Sequence, residues 1–115
     1  MTCVFCDFIH GDAPKPRRYG NVSDEVVSFE PLNPVTFGHT LFVPTMHVED
    51  ATEVPQVTAV TMRAASEWAR DMTFPCNLIT SVGEAATQSV KHLHIHVVPR
   101  SAGDGLTLPW TGQQK

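Results

Sequence analysis

Three histidines recur at every second residue in His92-Leu93-His94-Ile95-His96-Val97-Val98. Imidazole has an ordinary pKa of about 6.5, so near neutral pH it can serve as nucleophile, acid-base group or metal ligand. The alternation with Leu93, Ile95 and Val97 has the period of two of a half-buried strand. Successive side chains on a strand point to opposite faces, so the imidazoles share one face and the aliphatic residues face the core. Neighbouring imidazoles then lie about 6.5 Å apart, two rises of about 3.3 Å, close enough for one phosphate or metal ion to touch two of them. A lone strand histidine is usually an ordinary packed or surface residue. Three in register, half of the chain's six, are not what strand propensity selects. Two chemistries fit: nucleophilic and acid-base catalysis by imidazole, or a three-histidine metal site. A second constellation, Cys3-x-x-Cys6, has the spacing of a zinc half-site. In a reducing compartment such a pair is more often a metal or redox site than a disulfide.

These residues need elements to hold them. Val26 to Glu30 reads as a strand, and His39 to Pro44 as another, stopped by its proline. Glu49 to Met72 is the helical stretch, with Asp50 and Thr52 as caps and Pro55 in its first turn. Val57, Val60, Ala64, Trp68 and Met72 draw one apolar stripe at steps of three and four, the mark of a helix packed on a sheet. Cys76 to Val82 is a third strand, 84–89 a loop, and the histidine strand follows. Strands with one long helix, not in βαβ alternation, predict an α+β fold with an antiparallel sheet.

The 115 residues suit one domain, 1–115, with a real core and no need of disulfides. A net charge of −4 and the absence of a basic stripe argue against general nucleic-acid binding. No apolar run approaches the roughly 20 residues that span a bilayer, and the N-terminus lacks a signal-peptide pattern. The expectation is a cytoplasmic protein. The tail over about 101–115 is polar and glycine-rich and reads as flexible, with Leu106, Leu108 and Trp110 as docking residues.

The residues that carry chemistry also carry a resemblance. His92-x-His94-x-His96-Val97-Val98 resembles the signature of the histidine triad (HIT) family of nucleotide hydrolases and transferases. Gln88-Ser89-Val90 before it and Pro99-Arg100 after it extend the match. So do the block from Asn33 through Gly38-His39 to Pro44 and His47, and Cys3-Val4-Phe5-Cys6-Asp7-Phe8-Ile9, similar to the N-terminal block of zinc-containing bacterial members. The resemblance implies about five antiparallel strands with one main helix, the sheet continuing across a homodimer. It implies hydrolysis or transfer at the α-phosphate of a purine nucleotide, the substrates being nucleoside phosphoramidates or dinucleoside polyphosphates.

It also implies roles. His94, the middle histidine, is the nucleophile, forming a nucleotidyl-histidine intermediate that water cleaves. His96 and His39 serve the phosphate, and Gln88 and Ser89 add neutral donors. Cys3, Cys6, His47 and His92 hold one structural Zn2+ per chain, closing a tetrahedron that ties the segment over about 1–12 to the catalytic strand. Phe5, Phe8, Phe29 and Leu32 fall where relatives line the base and ribose pocket. Some positions depart from the pattern. Pro31 stands where many relatives carry an Asp or Asn that grips the ribose, so that grip is absent or moves to a neighbouring carbonyl; Thr45, Ser81 and Thr87 replace a common lysine, asparagine and glycine. Two other readings stay open at this level: a metallohydrolase with zinc on His92, His94 and His96, and a nucleotide-binding regulator with residual catalysis.

Overall fold

The structure is a computed structural model and describes residues 2–110. A short helix α1 (Val4–Ile9) opens the chain, followed by β1 (Gly20–Asn21), β2 (Val26–Phe29), β3 (Thr40–Pro44), the long helix α2 (Pro55–Met72), β4 (Cys76–Ile79), a single 3-10 turn at Glu84–Ala86 and β5 (Ile95–Pro99). The strands form one sheet in the order β1-β2-β3-β5-β4, and every neighbouring pair is antiparallel. The α+β architecture expected from the sequence is therefore the observed one.

The sheet is covered on both faces, and the period of two sorts the residues between them. Val26, Phe42, Ile95 and Val97 face α2 and form one core with Val48, Ala65 and Leu93. Val27, Phe29, Leu41 and Val43 face the other way and pack with Phe5 and Phe8 of α1. On β5 the residues between Ile95 and Val97 must then point toward α1, so His96 lies on the α1 face. Leu41 pairs with His96, and Phe42 with Ile95, which puts the histidines beside the central strand, where the scaffold is most rigid.

Two element starts and one helix face differ from the sequence reading, and β4 ends at Ile79 rather than Val82. Helix α2 begins at Pro55, not Glu49. A residue before proline is pushed out of the helical region, and Val54 sits at φ −135°. Asp50 is used elsewhere: its Oδ1 accepts from the Thr52 N–H and hydroxyl, closing a side-chain turn before the helix. The buried line of α2 is also offset from the expected stripe. Thr61 and Ala65 are its fully buried residues, and Met72 is exposed. Thr61 hides its hydroxyl by donating to the Val57 carbonyl at 2.8 Å, so a polar residue does what the apolar pattern assigned to its neighbours. Thirdly, β5 starts at Ile95, so His92, Leu93 and His94 lie on a bend before the ladder begins. Here Leu93 donates to the Val48 carbonyl, and the Thr80 hydroxyl binds the His94 carbonyl at 2.8 Å. The face alternation survives the bend, because Leu93 stays in the α2-side core.

The start of the tail is tied back. Arg100 binds both carboxylate oxygens of Asp104 at 2.8 and 3.0 Å and donates to the Leu106 carbonyl. Residues 111–115 of the expected flexible tail lie outside the described residues. Among the described residues, no helix is long and apolar enough to cross a membrane.

Candidate active site and metal site

The α1 face of the sheet carries a cavity of about 640 Å³ lined by Phe5, Phe8 and Phe29 on one side and His39, His94, His96 and Ser89 on another. Helix α1 supplies the aromatic wall: Phe5 meets Phe29 edge-on at 5.4 Å and the His94 ring at 5.4 Å. Leu32 reaches the cavity from its rim, 95% exposed. Of the residues that the resemblance marked for catalysis and nucleotide binding, all but Gln88 line this one cavity.

The hydrogen bonds assign the proton on each imidazole. His94 Nδ1 lies 2.7 Å from the His92 carbonyl. A carbonyl only accepts, so Nδ1 carries the hydrogen and Nε2 is left with its lone pair. Gly38, at φ +89°, turns the chain into β3 in a conformation that favours glycine, and His39 follows it. His39 Nδ1 accepts from the Val35 N–H at 3.1 Å. Its hydrogen is therefore on Nε2, which donates to His96 Nδ1 at 2.9 Å. His96 then carries its own hydrogen on Nε2 as a donor. One cavity thus holds a nucleophilic lone pair on His94 and a donor on His96, their ring centres 5.2 Å apart. Both ring nitrogens of His39 are spent in this chain, so it positions His96 and has no free nitrogen for a phosphate.

Burial keeps the imidazoles neutral. It lowers the pKa of His94, against the opposing bond to the His92 carbonyl. It lowers His96 to about 4, helped by the charges of His94 and His39. His39 is also lowered by burial, against the pull of the Glu30 carboxylate.

Gln88 corrects one expectation. It lies buried outside the cavity lining, and its amide is fully engaged with the backbone. Oε1 accepts from the Gly83 N–H at 2.8 Å, while Nε2 donates to the Glu49 and Val90 carbonyls at 2.6 and 3.0 Å. It latches the loop that carries Ser89 to the turn before α2. Removing it leaves buried backbone groups unpaired, so Gln88→Ala should cost about 1–3 kcal/mol of stability, read as a lower Tm. A phosphate donor would instead lower kcat with Tm unchanged. Next to it Thr87 holds a left-handed φ of 70°, which explains why a glycine suits this position and why threonine is strained there.

His92 does not share the cavity. Its ring is fully buried, and Nε2 donates to the Pro44 carbonyl at 2.9 Å, which leaves a lone pair on Nδ1. That atom lies 3.4 Å from Cys3 Sγ, 3.6 Å from Cys6 Sγ and 3.1 Å from His47 Nδ1, and Cys6 Sγ lies 3.4 Å from His47 Nδ1. All four ligand atoms fall within 4.8 Å of one another. Zinc–sulfur bonds of about 2.3 Å and zinc–nitrogen bonds of about 2.0–2.1 Å at tetrahedral angles would separate such atoms by roughly 3.3–3.8 Å, so the cluster has the size of a closed two-cysteine, two-histidine site. Burial, with the neighbouring Cys3 thiol and Asp7, pushes the Cys6 thiol up to about 11. A dication between the sulfurs is what would hold both as thiolates. The cluster excludes His94 and His96, so the three histidines do not converge on one metal.

Fold and site together define a small antiparallel α+β domain with a histidine-lined cavity beside a cysteine-histidine cluster. The HIT domain family model matches residues 19–103, and the chain belongs to the HIT family, as its motifs indicated. It is 34% identical over 116 residues to the protein hit of Bacillus subtilis, spanning 95% of this chain and 79% of that protein. It is 30% identical over 110 residues to the adenylylsulfatase HINT3 of Arabidopsis thaliana, spanning 90% of this chain and 55% of that protein. A Zn-bound histidine triad family protein from Mycobacterium smegmatis superimposes with a TM-score of 0.76 at 37% identity, covering 94% of this chain and 81% of that one.

Proposed function

We propose that this protein is a nucleotide hydrolase or nucleotidyl transferase acting at the α-phosphate of a purine nucleoside phosphoramidate or dinucleoside polyphosphate. The observation that carries the reading is the lone pair on His94 Nε2, fixed by the 2.7 Å bond from Nδ1 to the His92 carbonyl, in the same cavity as an aromatic wall. The base and ribose rest against Phe5, Phe8, Phe29 and Leu32, and the phosphate meets the histidines. His94 Nε2 attacks the α-phosphorus, the bond to the leaving group breaks, and the leaving atom takes a proton from water. Water then attacks the phosphorus, the phosphorus–Nε2 bond breaks, and the proton that the water loses neutralises the hydroxide left by the first step, which releases the nucleoside monophosphate and the free imidazole. His96 Nε2–H and the Ser89 hydroxyl donate to the nonbridging oxygens as charge gathers there. His39 holds His96 in the donor tautomer. An adenylylsulfatase among the relatives supports chemistry at a nucleotide's phosphate.

Cys3, Cys6, His47 and His92 hold one structural Zn2+, a reading supported by the size of the cluster and by the Zn-bound relative. When bound it supplies stability to the N-terminal segment. The chain works as a cytoplasmic homodimer, paired through the outer edge of β4, where Leu78 stands 37% exposed. The test is release of AMP from adenosine 5′-phosphoramidate by the wild type and by His94→Ala side by side.

The pH profile gives a second check. Attack needs neutral His94, and burial lowers its pKa below 6.5. The acid limb of kcat/KM should therefore fall at a midpoint below 6.5. A midpoint at or above 6.5 would show that desolvation does not control the nucleophile. Stability moves in the same direction. A depressed imidazole pKa in the fold means that the unfolded chain binds the proton more tightly. The His96 contribution is complete above pH 6.5 and is lost as pH falls toward about 4. The profile is therefore read alongside Tm at each pH.

A further inference from the structure

Lys15 is the one lysine or arginine among the described residues that line the large cavity. Pro14 and Pro16 flank it and line the same cavity. Pro14 has a fixed φ, and Pro16 confines the residue before it to extended backbone, so the rim is stiff where the lysine sits. Its ammonium is held at two points. Nζ donates to the carbonyl of Phe8 in the last turn of α1, and it stands 4.9 Å from the centre of the Tyr19 ring, a cation–π contact. Phe8 is buried, and it belongs to the aromatic wall of the cavity. The ammonium is therefore anchored to the backbone of a wall residue. Ring contacts then order the wall. Phe5 meets His94 at 5.4 Å, Phe8 meets Phe5 at 5.8 Å, and Tyr19 meets Phe8 at 6.0 Å. Contact by contact, the row begins at the nucleophile and ends under Lys15.

A lysine ammonium has three N–H donors and no acceptor. The Phe8 carbonyl takes one and the Tyr19 face a second, which leaves a third for a ligand. On the nucleotide reading above, on which this step rests, the phosphate lies at His94 and His96 and the purine on the aromatic row, so the outer edge of the base turns to Lys15. Purines differ there. Guanine presents two acceptors, O6 and N7, whereas adenine pairs the N7 acceptor with the N6 amino donor. A group that only donates attracts O6 and can take nothing from an amino group. The carboxylate in the same lining, Glu30, is already matched by Arg17 and Arg18 at 3.6 and 3.8 Å, so it gives an adenine amino group no comparable acceptor. We propose that Lys15 reads the 6-position of the purine and sets a preference for 6-oxopurine nucleotides, those of guanine and hypoxanthine, over adenine nucleotides.

The test measures calorimetric binding of AMP, GMP and IMP, and turnover of the three matching nucleoside 5′-phosphoramidates, by the wild type and by Lys15→Met, which keeps the apolar stem and removes the donors. Tm is recorded for both proteins. A hydrogen bond to a charged group is worth about 10–100-fold. Lys15 is exposed and water competes for its donors, so the expected preference of the wild type for GMP and IMP over AMP is about tenfold, carried in Kd and KM with kcat little changed. In Lys15→Met the three nucleotides should come to within about threefold, the loss falling on GMP and IMP. Equal binding of all three by the wild type, with all three phosphoramidates cleaved, overturns the proposal and leaves the hydrolase reading intact. A preference for GMP with IMP no better than AMP also overturns it, because the 2-amino group and not O6 would then be read. So does an equal fall on all three in Lys15→Met together with a lower Tm, which would make Lys15 a purely structural tie on α1. If the wild type cleaves no phosphoramidate but binds GMP and IMP ahead of AMP, the hydrolase reading fails and the base contact stands. If it binds none of the three, both fail.

Discussion

His94→Ala should lose AMP release by about 10⁴-fold or more while remaining folded. The size follows from what the residue supplies. Removing the nucleophile of a covalent mechanism takes away the two-step route and leaves only what binding and phosphate stabilisation contribute. The stability cost is small by comparison. The His94 ring is only partly buried, and it packs edge-on against Phe5 at 5.4 Å and His96 at 5.2 Å. The His92 carbonyl loses one donor, worth about 1 kcal/mol. Quenching the wild type during turnover should reveal a mass increase of one nucleotidyl group, and the variant should show none. A variant within about tenfold of the wild type would remove His94 from the chemistry. Tight nucleotide binding with equal turnover in both proteins would favour a binding regulator instead.

The chemistry was legible because strand alternation is a rigid rule. The sequence placed three imidazoles opposite Leu93, Ile95 and Val97, and that partition survives although the ladder begins only at Ile95. What the spacing alone left open was which partner each ring takes. Those partners come from other parts of the chain: Pro44 for His92, His39 (itself held by the Val35 N–H) for His96, and Cys3, Cys6 and His47 for the remaining nitrogen of His92. A period of two says which way a ring points and nothing about its proton. The expectation about Gln88 failed for the same reason. An amide can donate to a phosphate or satisfy backbone groups equally well, and only the folded loop shows that Gly83, Glu49 and Val90 take all of its capacity. The start of α2 was misread at Asp50 because a capping residue and a turn residue have the same side-chain chemistry. The proline five residues on was the better signal.

With zinc on the cysteine-histidine cluster as proposed, its removal should separate stability from catalysis. The cysteine-histidine cluster ties α1 to the bend before β5 through His92 and to the end of β3 through His47. Because the free site has two neighbouring thiols, one of them pushed up by burial, much of the metal's binding free energy is folding free energy. Cys6→Ala, or chelation, should therefore lower Tm by roughly 10–20 °C, corresponding to about 3 kcal/mol in a domain of this size. Elemental analysis should fall from one zinc per chain to none in the same samples. The effect on turnover has a defined shape. Phe5 lies between the two cysteines in sequence and packs against both His92 and His94, at 5.7 and 5.4 Å. Loosening α1 therefore opens the aromatic wall, and KM rises several-fold. The His94 Nδ1 bond to the His92 carbonyl is a backbone contact within one bend, so kcat of the folded fraction falls far less than in His94→Ala. Loss of kcat on chelation with Tm and KM preserved would instead assign the metal to the reaction itself and revive a three-histidine metallohydrolase. The 3.1 Å approach of His47 Nδ1 to His92 Nδ1 argues for the first outcome, because it turns the His92 lone pair toward the cysteines, in a cluster that leaves out His94 and His96.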